Sequence, residues 1–118
     1  MLVDAAGLPR VEHRAHTPKA GPLRVALAPF AVDESDVFLF HKTTARGVYE
    51  RALAAVPDVH EVLLWNRREE LTEATTANLV VELDGQRVTP PIDSGLLAIT
   101  GGGLLLLTAL AIRRVLDA

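Results

Sequence analysis

Short apolar runs separated by polar turns recur along the chain and predict a protein built largely from β-strands. Asp84 and Gly85 are typical of a two-residue hairpin between the last two strands, and Pro90 with Pro91 ends the pairing. A short strand or hairpin is also compatible with residues 1–4. The predicted strands are residues 23–30, 37–40, 60–65, 71–73, 78–83 and 86–89.

Two stretches carry the pattern of helices. Residues 44–56 place apolar side chains at the helical period, and we expect Arg46 and Glu50 on the solvent face of this helix. Residues 104–116 are apolar nearly all round, which predicts a buried helix. Together these elements predict an α+β fold with a mostly antiparallel sheet and flanking helices.

The length of 118 residues leaves room for one domain with a real hydrophobic core. Residues 1–22 contain Pro9, Pro18 and Pro22 with scattered charge and little periodicity. We interpret this stretch as a linker or as the remnant of a preceding domain. Residues 23–118 are then the domain itself.

Charge and cysteine content exclude several classes of protein. The chain has 12 basic and 15 acidic residues, a net charge of -3, and no basic block, which argues against binding of nucleic acid. It has no cysteine, so disulfides and thiolate metal sites are excluded, and a reducing cytoplasmic location fits. The 4 histidines are not at ligand spacing on any one element, so no metal site is predicted.

One stretch raises the question of a membrane. Residues 95–112 are uncharged and are followed by Arg113 and Arg114, a pattern just long enough for a membrane-spanning helix. Three glycines at positions 101–103 lie in its middle, and each costs about 1 kcal/mol of helix propensity. We therefore expect a glycine turn that leads into a buried helix, and no membrane partner.

Three features together match the needs of a cofactor that carries an aldehyde and a phosphate. Lys42 follows a predicted strand beside two threonines and apolar surface, where desolvation would favour the neutral, nucleophilic amine. Glu73 supplies a carboxylate, and glycines 101–103 precede a predicted helix whose backbone amides can bind phosphate. A pyridoxal phosphate site needs such an amine, acid and anion site. A solvated surface lysine is the competing interpretation.

Five segments, in this order, are similar to those of a known family. They read FLFHKTTAR (38–46), EVLLWN (61–66), LTEATTANL (71–79), LDG (83–85) and VTPPIDSGLL (88–97). They resemble the class IV aminotransferase-like pyridoxal phosphate enzymes, above all the aminodeoxychorismate lyase portion of proteins fused to para-aminobenzoate synthase component I. The resemblance runs from about residue 23 to residue 97. It implies the C-terminal domain of the D-amino acid aminotransferase-like fold.

The resemblance also implies roles for individual residues. Lys42 takes the position of the lysine that forms a Schiff base with pyridoxal 5′-phosphate, and Glu73 that of the acid paired with the ring nitrogen. Thr100 and Gly101 take the positions of phosphate contacts. Asn78 matches an asparagine that we interpret as structural support beside the site.

The family pattern differs from this chain in two respects. The family has an N-terminal domain that supplies a phosphate-binding arginine and part of the substrate pocket, and it has further strands at the end of the fold. The chain also has Ile99 where the family has glycine and Gly102 where the family has arginine. We therefore expect an incomplete cofactor-binding domain that forms a homodimer or pairs with a complementing domain on another chain.

The function implied by the resemblance is that of a pyridoxal phosphate-dependent lyase. Such an enzyme converts the small molecule 4-amino-4-deoxychorismate to 4-aminobenzoate and pyruvate in folate biosynthesis. A class IV amino acid aminotransferase is the neighbouring alternative, because substrate contacts lie largely in the N-terminal domain of the family. A non-catalytic remnant in which Lys42 merely persists is a further alternative, and a membrane-tethered domain is another.

Overall fold

The computed structural model describes residues 1–17 and 20–97, together with the backbone of residues 108–109. Among these described residues, one α-helix, α1, spans Gly47–Ala55, and two 3-10 turns lie at Val37–Leu39 and Ile92–Ser94. The strands are Leu2–Val3 (β1), Pro9–Arg10 (β2), Val25–Leu27 (β3), Glu61–Trp65 (β4), Leu71–Ala74 (β5), Val81–Leu83 (β6), Gln86–Thr89 (β7) and Thr108–Ala109 (β8).

The central sheet has the strand order β3-β4-β5. Strands β3 and β4 are parallel, so the chain must cross over between them, and α1 lies in this crossover and packs against β4. Strand β5 then returns antiparallel to β4. The buried core between the sheet and α1 consists of Ala28, Val32, Leu39, Tyr49, Ala52, Val62 and Leu64.

A second small sheet has the order β6-β7-β8. Asp84 and Gly85 join β6 to β7 and have φ angles of 50° and 76°, which is the left-handed backbone that a tight two-residue hairpin requires. The hairpin predicted from these two residues is therefore confirmed. The N-terminal hairpin is present as well, because β1 pairs antiparallel with β2.

The predicted fold class is confirmed. Three of the five pairings between described strands are antiparallel, and the described part of the chain combines these small sheets with few helices. The predicted helix at residues 44–56 is present as the shorter α1. Strand 23–30 is reduced to β3, which ends before Pro29, a residue without a backbone N–H for the sheet.

The strand predicted at residues 37–40 is wrong. The Asp36 carboxylate accepts a hydrogen bond from the Phe38 backbone N–H at 3.0 Å and caps a 3-10 turn at Val37–Leu39. This turn buries Leu39 in the core, and α1 is the next helix along the chain. An apolar run of this length fits a strand or a buried turn equally well, and the capping aspartate decides between them here.

The helix predicted at residues 104–116 lies largely outside the described residues. Within it, only Thr108–Ala109 is described, and there the helix is wrong because these residues form β8, which pairs parallel to β7. Most of the uncharged stretch 95–112 also lies outside the described part of the chain. Among the described helices, none is long and apolar enough to cross a membrane.

Candidate active site

A small cleft of about 60 Å³ opens between the start of α1 and the end of β5. Its lining comes from the loop before α1, from the first turns of α1, from the end of β5 with the loop that follows, and from the segment after the second 3-10 turn. The lining residues are Lys42, Arg46, Tyr49, Glu73, Ala74, Thr75, Thr76, Ala77, Asn78 and Leu97.

Glu73 lies on β5 and is only 5% exposed. The Tyr49 hydroxyl donates a hydrogen bond to Glu73 Oε1 at 2.8 Å, and the Leu97 backbone N–H donates to Oε2 at 3.3 Å. Burial raises the pKa of the Glu73 carboxyl above its ordinary value, although these hydrogen bonds and the cations of Arg46 and Lys42 act in the opposite direction. Glu73 is thus a buried acid held in a fixed orientation.

Tyr49 is the residue of α1 that holds this acid. Its ring faces the core on the buried side of the helix, beside Ala52, and its hydroxyl reaches Glu73. Burial, and next the hydrogen bond to Glu73, raises the pKa of the Tyr49 phenol. The phenol therefore stays protonated and remains a donor to the carboxylate.

Arg46 also belongs to the cleft, although the sequence predicted it on the solvent face. Its guanidinium lies over the Tyr49 ring, 4.5 Å from the centroid, and Nη2 donates to the Thr75 carbonyl at 2.6 Å. Neither Arg46 nor Tyr49 was singled out from the sequence as a site residue. Their spacing of three places them on one helical face, which is the signal that could have found both.

Lys42 lines the same cleft from the loop that precedes α1. Its charge is close enough to Glu73 to lower the pKa of that carboxyl. The Lys42 side chain is exposed, so the described residues do not supply the apolar burial expected for it. The structure brings Lys42 and Glu73 together, whereas Thr100 and Gly101 lie outside the described residues.

Two sets of hydrogen bonds hold the loop after β5. Asn78 Nδ2 donates to the Leu97 carbonyl at 3.0 Å, which ties the loop to the segment that contacts Glu73. Glu61, at the start of β4, accepts hydrogen bonds from Thr75 Oγ1 at 2.5 Å, from the Thr76 backbone N–H at 3.1 Å and from Thr76 Oγ1. The support beside the site predicted for Asn78 agrees with its contact.

Chains of known structure share this fold. A Legionella pneumophila protein assigned as a 4-amino-4-deoxychorismate lyase is 20% identical to this chain. It superposes on 84% of this chain with a TM-score of 0.72. The branched-chain amino acid aminotransferase from Thermobaculum terrenum, in its PLP holo form, is 19% identical with a TM-score of 0.67 over 78% of this chain. The fold is thus that of the class IV aminotransferases.

The chain belongs to the amino-transferase class IV family, whose model matches residues 5–111. A Mesorhizobium loti protein assigned as an amino-acid aminotransferase is 33% identical, with a TM-score of 0.68 over 78% of this chain. No curated protein is similar enough to the chain to count as a match. The chain covers 47% of the Mesorhizobium structure, 41% of the Legionella structure and 34% of the Thermobaculum structure.

Proposed function

We propose that the chain is the cofactor-binding part of a pyridoxal 5′-phosphate-dependent lyase that converts 4-amino-4-deoxychorismate to 4-aminobenzoate and pyruvate. The observation that carries the proposal is the cleft shared by Lys42 and Glu73, in which an amine lies near a buried carboxylate. The family supports the cofactor, and the similarity of segments to fused aminodeoxychorismate lyases supports the reaction.

The donor set of the cleft fits the cofactor. An ionised carboxylate offers about four lone-pair positions, and Tyr49 and Leu97 use two of those on Glu73. The remaining capacity can accept the N–H of a pyridine ring. Bound there, the cofactor would supply an electron sink for the carbanion that forms when a bond to the substrate's α-carbon breaks.

Each residue of the site then has its own proposed role in binding the cofactor or in the reaction. Lys42 supplies the amine that holds the cofactor aldehyde, and we propose that the same amine moves the substrate proton. Glu73 keeps the ring nitrogen protonated, and Tyr49 holds Glu73 in orientation through its hydroxyl. We propose Thr100 and Gly101 as contacts of the phosphate.

The described residues form one wall of the pocket. Their cleft of about 60 Å³ is smaller than the roughly 300–1,000 Å³ of typical ligand pockets. Phe38 is 50% exposed and lines a second hollow beside Lys42. We propose that a second copy of the chain or a complementing domain covers this surface in the cytoplasm. If a second copy covers the surface, light scattering of the purified chain should give a dimer, and a monomer that binds cofactor without any partner would contradict this part of the proposal.

Cofactor attachment gives the first prediction. The purified chain, mixed with pyridoxal phosphate and then reduced with borohydride, should carry a covalent adduct on Lys42, because reduction fixes a cofactor bound through an amine. Peptide mass spectrometry locates the adduct. Lys42→Ala should lose completely both the adduct and the visible absorbance that the cofactor gains when it binds the protein through an amine.

Lys19 is the only other lysine in the chain, so Lys19→Ala is the matched control and should keep both signals. An adduct spread over Lys19 and the N-terminus, or no adduct at saturating cofactor, would contradict the proposal. The second outcome would instead favour the non-catalytic remnant.

An amino-acid aminotransferase is the second candidate function, favoured by the 33% identity to the Mesorhizobium protein. The two reactions differ in their products. The lyase forms 4-aminobenzoate and pyruvate without an amino acceptor, whereas an aminotransferase needs a 2-oxo acid to complete each turnover. Product analysis of the cofactor-loaded protein, with and without a 2-oxo acid, distinguishes them.

A further inference from the structure

Arg46 has a cationic head that the fold holds in one place. The guanidinium stacks on the Tyr49 ring at 4.5 Å, and one of its nitrogens donates to the Thr75 carbonyl at 2.6 Å. Thr75 is itself only 1% exposed, and its hydroxyl donates to the Glu61 carboxylate at 2.5 Å. A long side chain that is fixed from two sides loses little further entropy when it binds a ligand.

The fixed cation lies near Glu73, whose pKa its charge lowers, but it does not form an ion pair with that carboxylate. No described carboxylate forms an ion pair with Arg46, while the hydrogen bonds to Glu73 come from Tyr49 and Leu97. Lys42 and Arg46 therefore set two positive charges against the one carboxylate of the cleft. Such an excess of positive charge at a partly enclosed surface attracts an anion.

The geometry of the guanidinium suits an oxyanion. Arginine carries five N–H donors in a planar fork that matches carboxylate and phosphate groups. The bond to Thr75 uses a donor on Nη2, and Nε and Nη1 have no hydrogen-bond acceptor among the described residues. A lysine at this position would supply the charge without the two parallel hydrogen bonds.

We propose that Arg46 binds an oxyanion in the cleft, either the carboxylate of the substrate or the phosphate of the cofactor. This inference deepens the proposed function, on which it rests for the identity of the ligand. In it Arg46 is a specificity-determining residue for an anionic ligand, beside the amine that reacts. The Glu61 carboxylate accepts a hydrogen bond from the hydroxyl of Thr75, the residue whose carbonyl accepts from the guanidinium.

The test measures binding of two simple anions, inorganic phosphate and benzoate, to the cofactor-free chain by calorimetric titration. Arg46→Gln should weaken binding of the recognised anion by at least about tenfold, because a charge-assisted bidentate contact is lost. Arg46→Lys should fall between wild type and Arg46→Gln. Equal binding to wild type and Arg46→Gln, or no binding of either anion to wild type in the millimolar range, would overturn the inference.

Arg51, on α1 and five residues after Arg46, provides a matched control. Its guanidinium also stacks on an aromatic ring, 4.4 Å from the centroid of Phe30, but it is exposed and lies outside the lining of the cleft. Arg51→Gln should therefore bind both anions within about twofold of wild type. An equal loss in Arg51→Gln would mean that the net charge of the protein, and no site, controls binding.

Two arms of the experiment identify the source of the anion. If Arg46 holds the cofactor phosphate, Arg46→Gln should weaken binding of pyridoxal phosphate but leave binding of pyridoxal, which lacks the phosphate, unchanged. If Arg46 holds the substrate carboxylate, both cofactor forms should bind normally and only benzoate should bind more weakly. If Arg46 binds an anion but Lys42 forms no adduct with the cofactor, the result would support this inference and contradict the proposed function.

Discussion

Glu61 and Glu73 lie on the neighbouring strands β4 and β5, and each is 5% exposed, yet their surroundings differ. Threonine hydroxyls and a backbone N–H of the loop after β5 surround the Glu61 carboxylate. Glu73 has one phenol and one backbone N–H as donors, and it faces a cleft that also holds a lysine. Hydrogen-bond donors thus enclose the carboxylate of Glu61. The carboxylate of Glu73 can still accept further hydrogen bonds from a ligand in the cleft.

This difference separates a structural acid from a candidate functional one. A buried carboxylate with several donors is stabilised as part of the fold, and removing it leaves those donors without a partner. A buried carboxylate that is only partly satisfied and borders a cleft is costly for the fold, and its pKa is raised, as at Glu73. Burial alone therefore does not identify the functional acid.

The largest predicted effect concerns the enclosed acid. Glu61→Ala should lower the free energy of unfolding by about 3 kcal/mol, since it leaves two buried or half-buried hydroxyls and a backbone N–H without their acceptor. Urea unfolding measures this loss as a lower midpoint at an unchanged slope. Glu73→Ala is the matched comparison and should cost less, because the Glu73 carboxylate has two donors where Glu61 has three, and its burial is unfavourable enough to raise its pKa.

Glu61→Gln keeps one acceptor oxygen and should lie between wild type and Glu61→Ala. If Glu73→Ala were the more destabilising of the two alanine variants, the assignment of Glu61 as the structural acid would be wrong. A loss of folding in Glu61→Ala would still support the prediction, provided that Glu61→Gln folds with reduced stability.

The sequence predicted those parts of the fold that local patterns determine. The hairpin at Asp84 and Gly85, the strand β4 and the helix α1 follow from turn residues and from hydrophobic periodicity. The 3-10 turn at Val37–Leu39 does not, because an apolar run of this length has no period that separates a strand from a buried turn. Hydrogen bonding of Asp36 to the turn, a local contact, decides its structure.

The candidate site was predictable only in part. The resemblance to a family brought Lys42 and Glu73 into one proposal, and the structure places them around one cleft. Arg46 immediately precedes α1, so its position depends on how α1 packs against the sheet, and that is a tertiary property. The contacts of Glu61 depend on the register of β4 against β5, which shifts between Leu63 and Trp65. A single sequence does not specify such a register shift.

A smaller effect is predicted for two threonines that flank Glu73. The Thr72 hydroxyl is fully buried and has no hydrogen-bond partner among the described residues, whereas the Thr75 hydroxyl donates to Glu61. Thr72→Val should therefore raise the free energy of unfolding by about 1 kcal/mol, because it removes an unsatisfied buried polar group. Thermal unfolding measures this as a rise of several degrees in Tm.

Thr75→Val makes the same chemical change where the hydroxyl has a partner, so it should lower stability instead. Opposite signs of the change in the free energy of unfolding would distinguish the Thr75 hydroxyl, which donates to a carboxylate, from the Thr72 hydroxyl, which does not. A loss of stability in Thr72→Val would mean that its hydroxyl has a partner in solution.

The smallest predicted effect is a pH dependence of stability. It tests Glu73, the acid of the pair that borders the cleft. Burial raises the pKa of Glu73 above its ordinary value of 4.5, so the folded state binds this proton more tightly than the unfolded state. The stabilisation from the bound proton is fully present below pH 4.5 and is lost as pH rises through the folded pKa. Glu73→Gln keeps an acceptor for Tyr49 and removes this dependence.

The free energy of unfolding of Glu73→Gln relative to wild type should therefore increase as pH rises above 4.5 and level off at higher pH. Urea unfolding across this range measures the difference, and Glu50→Gln, on an exposed glutamate of α1, controls for the loss of one charge. A difference that instead decreases with rising pH would mean that Lys42 and Arg46 outweigh burial and hold Glu73 as an ion-paired base. Glu73 would then be paired with Lys42 and Arg46, and the ring nitrogen of the cofactor would have to compete with these two cations for the carboxylate.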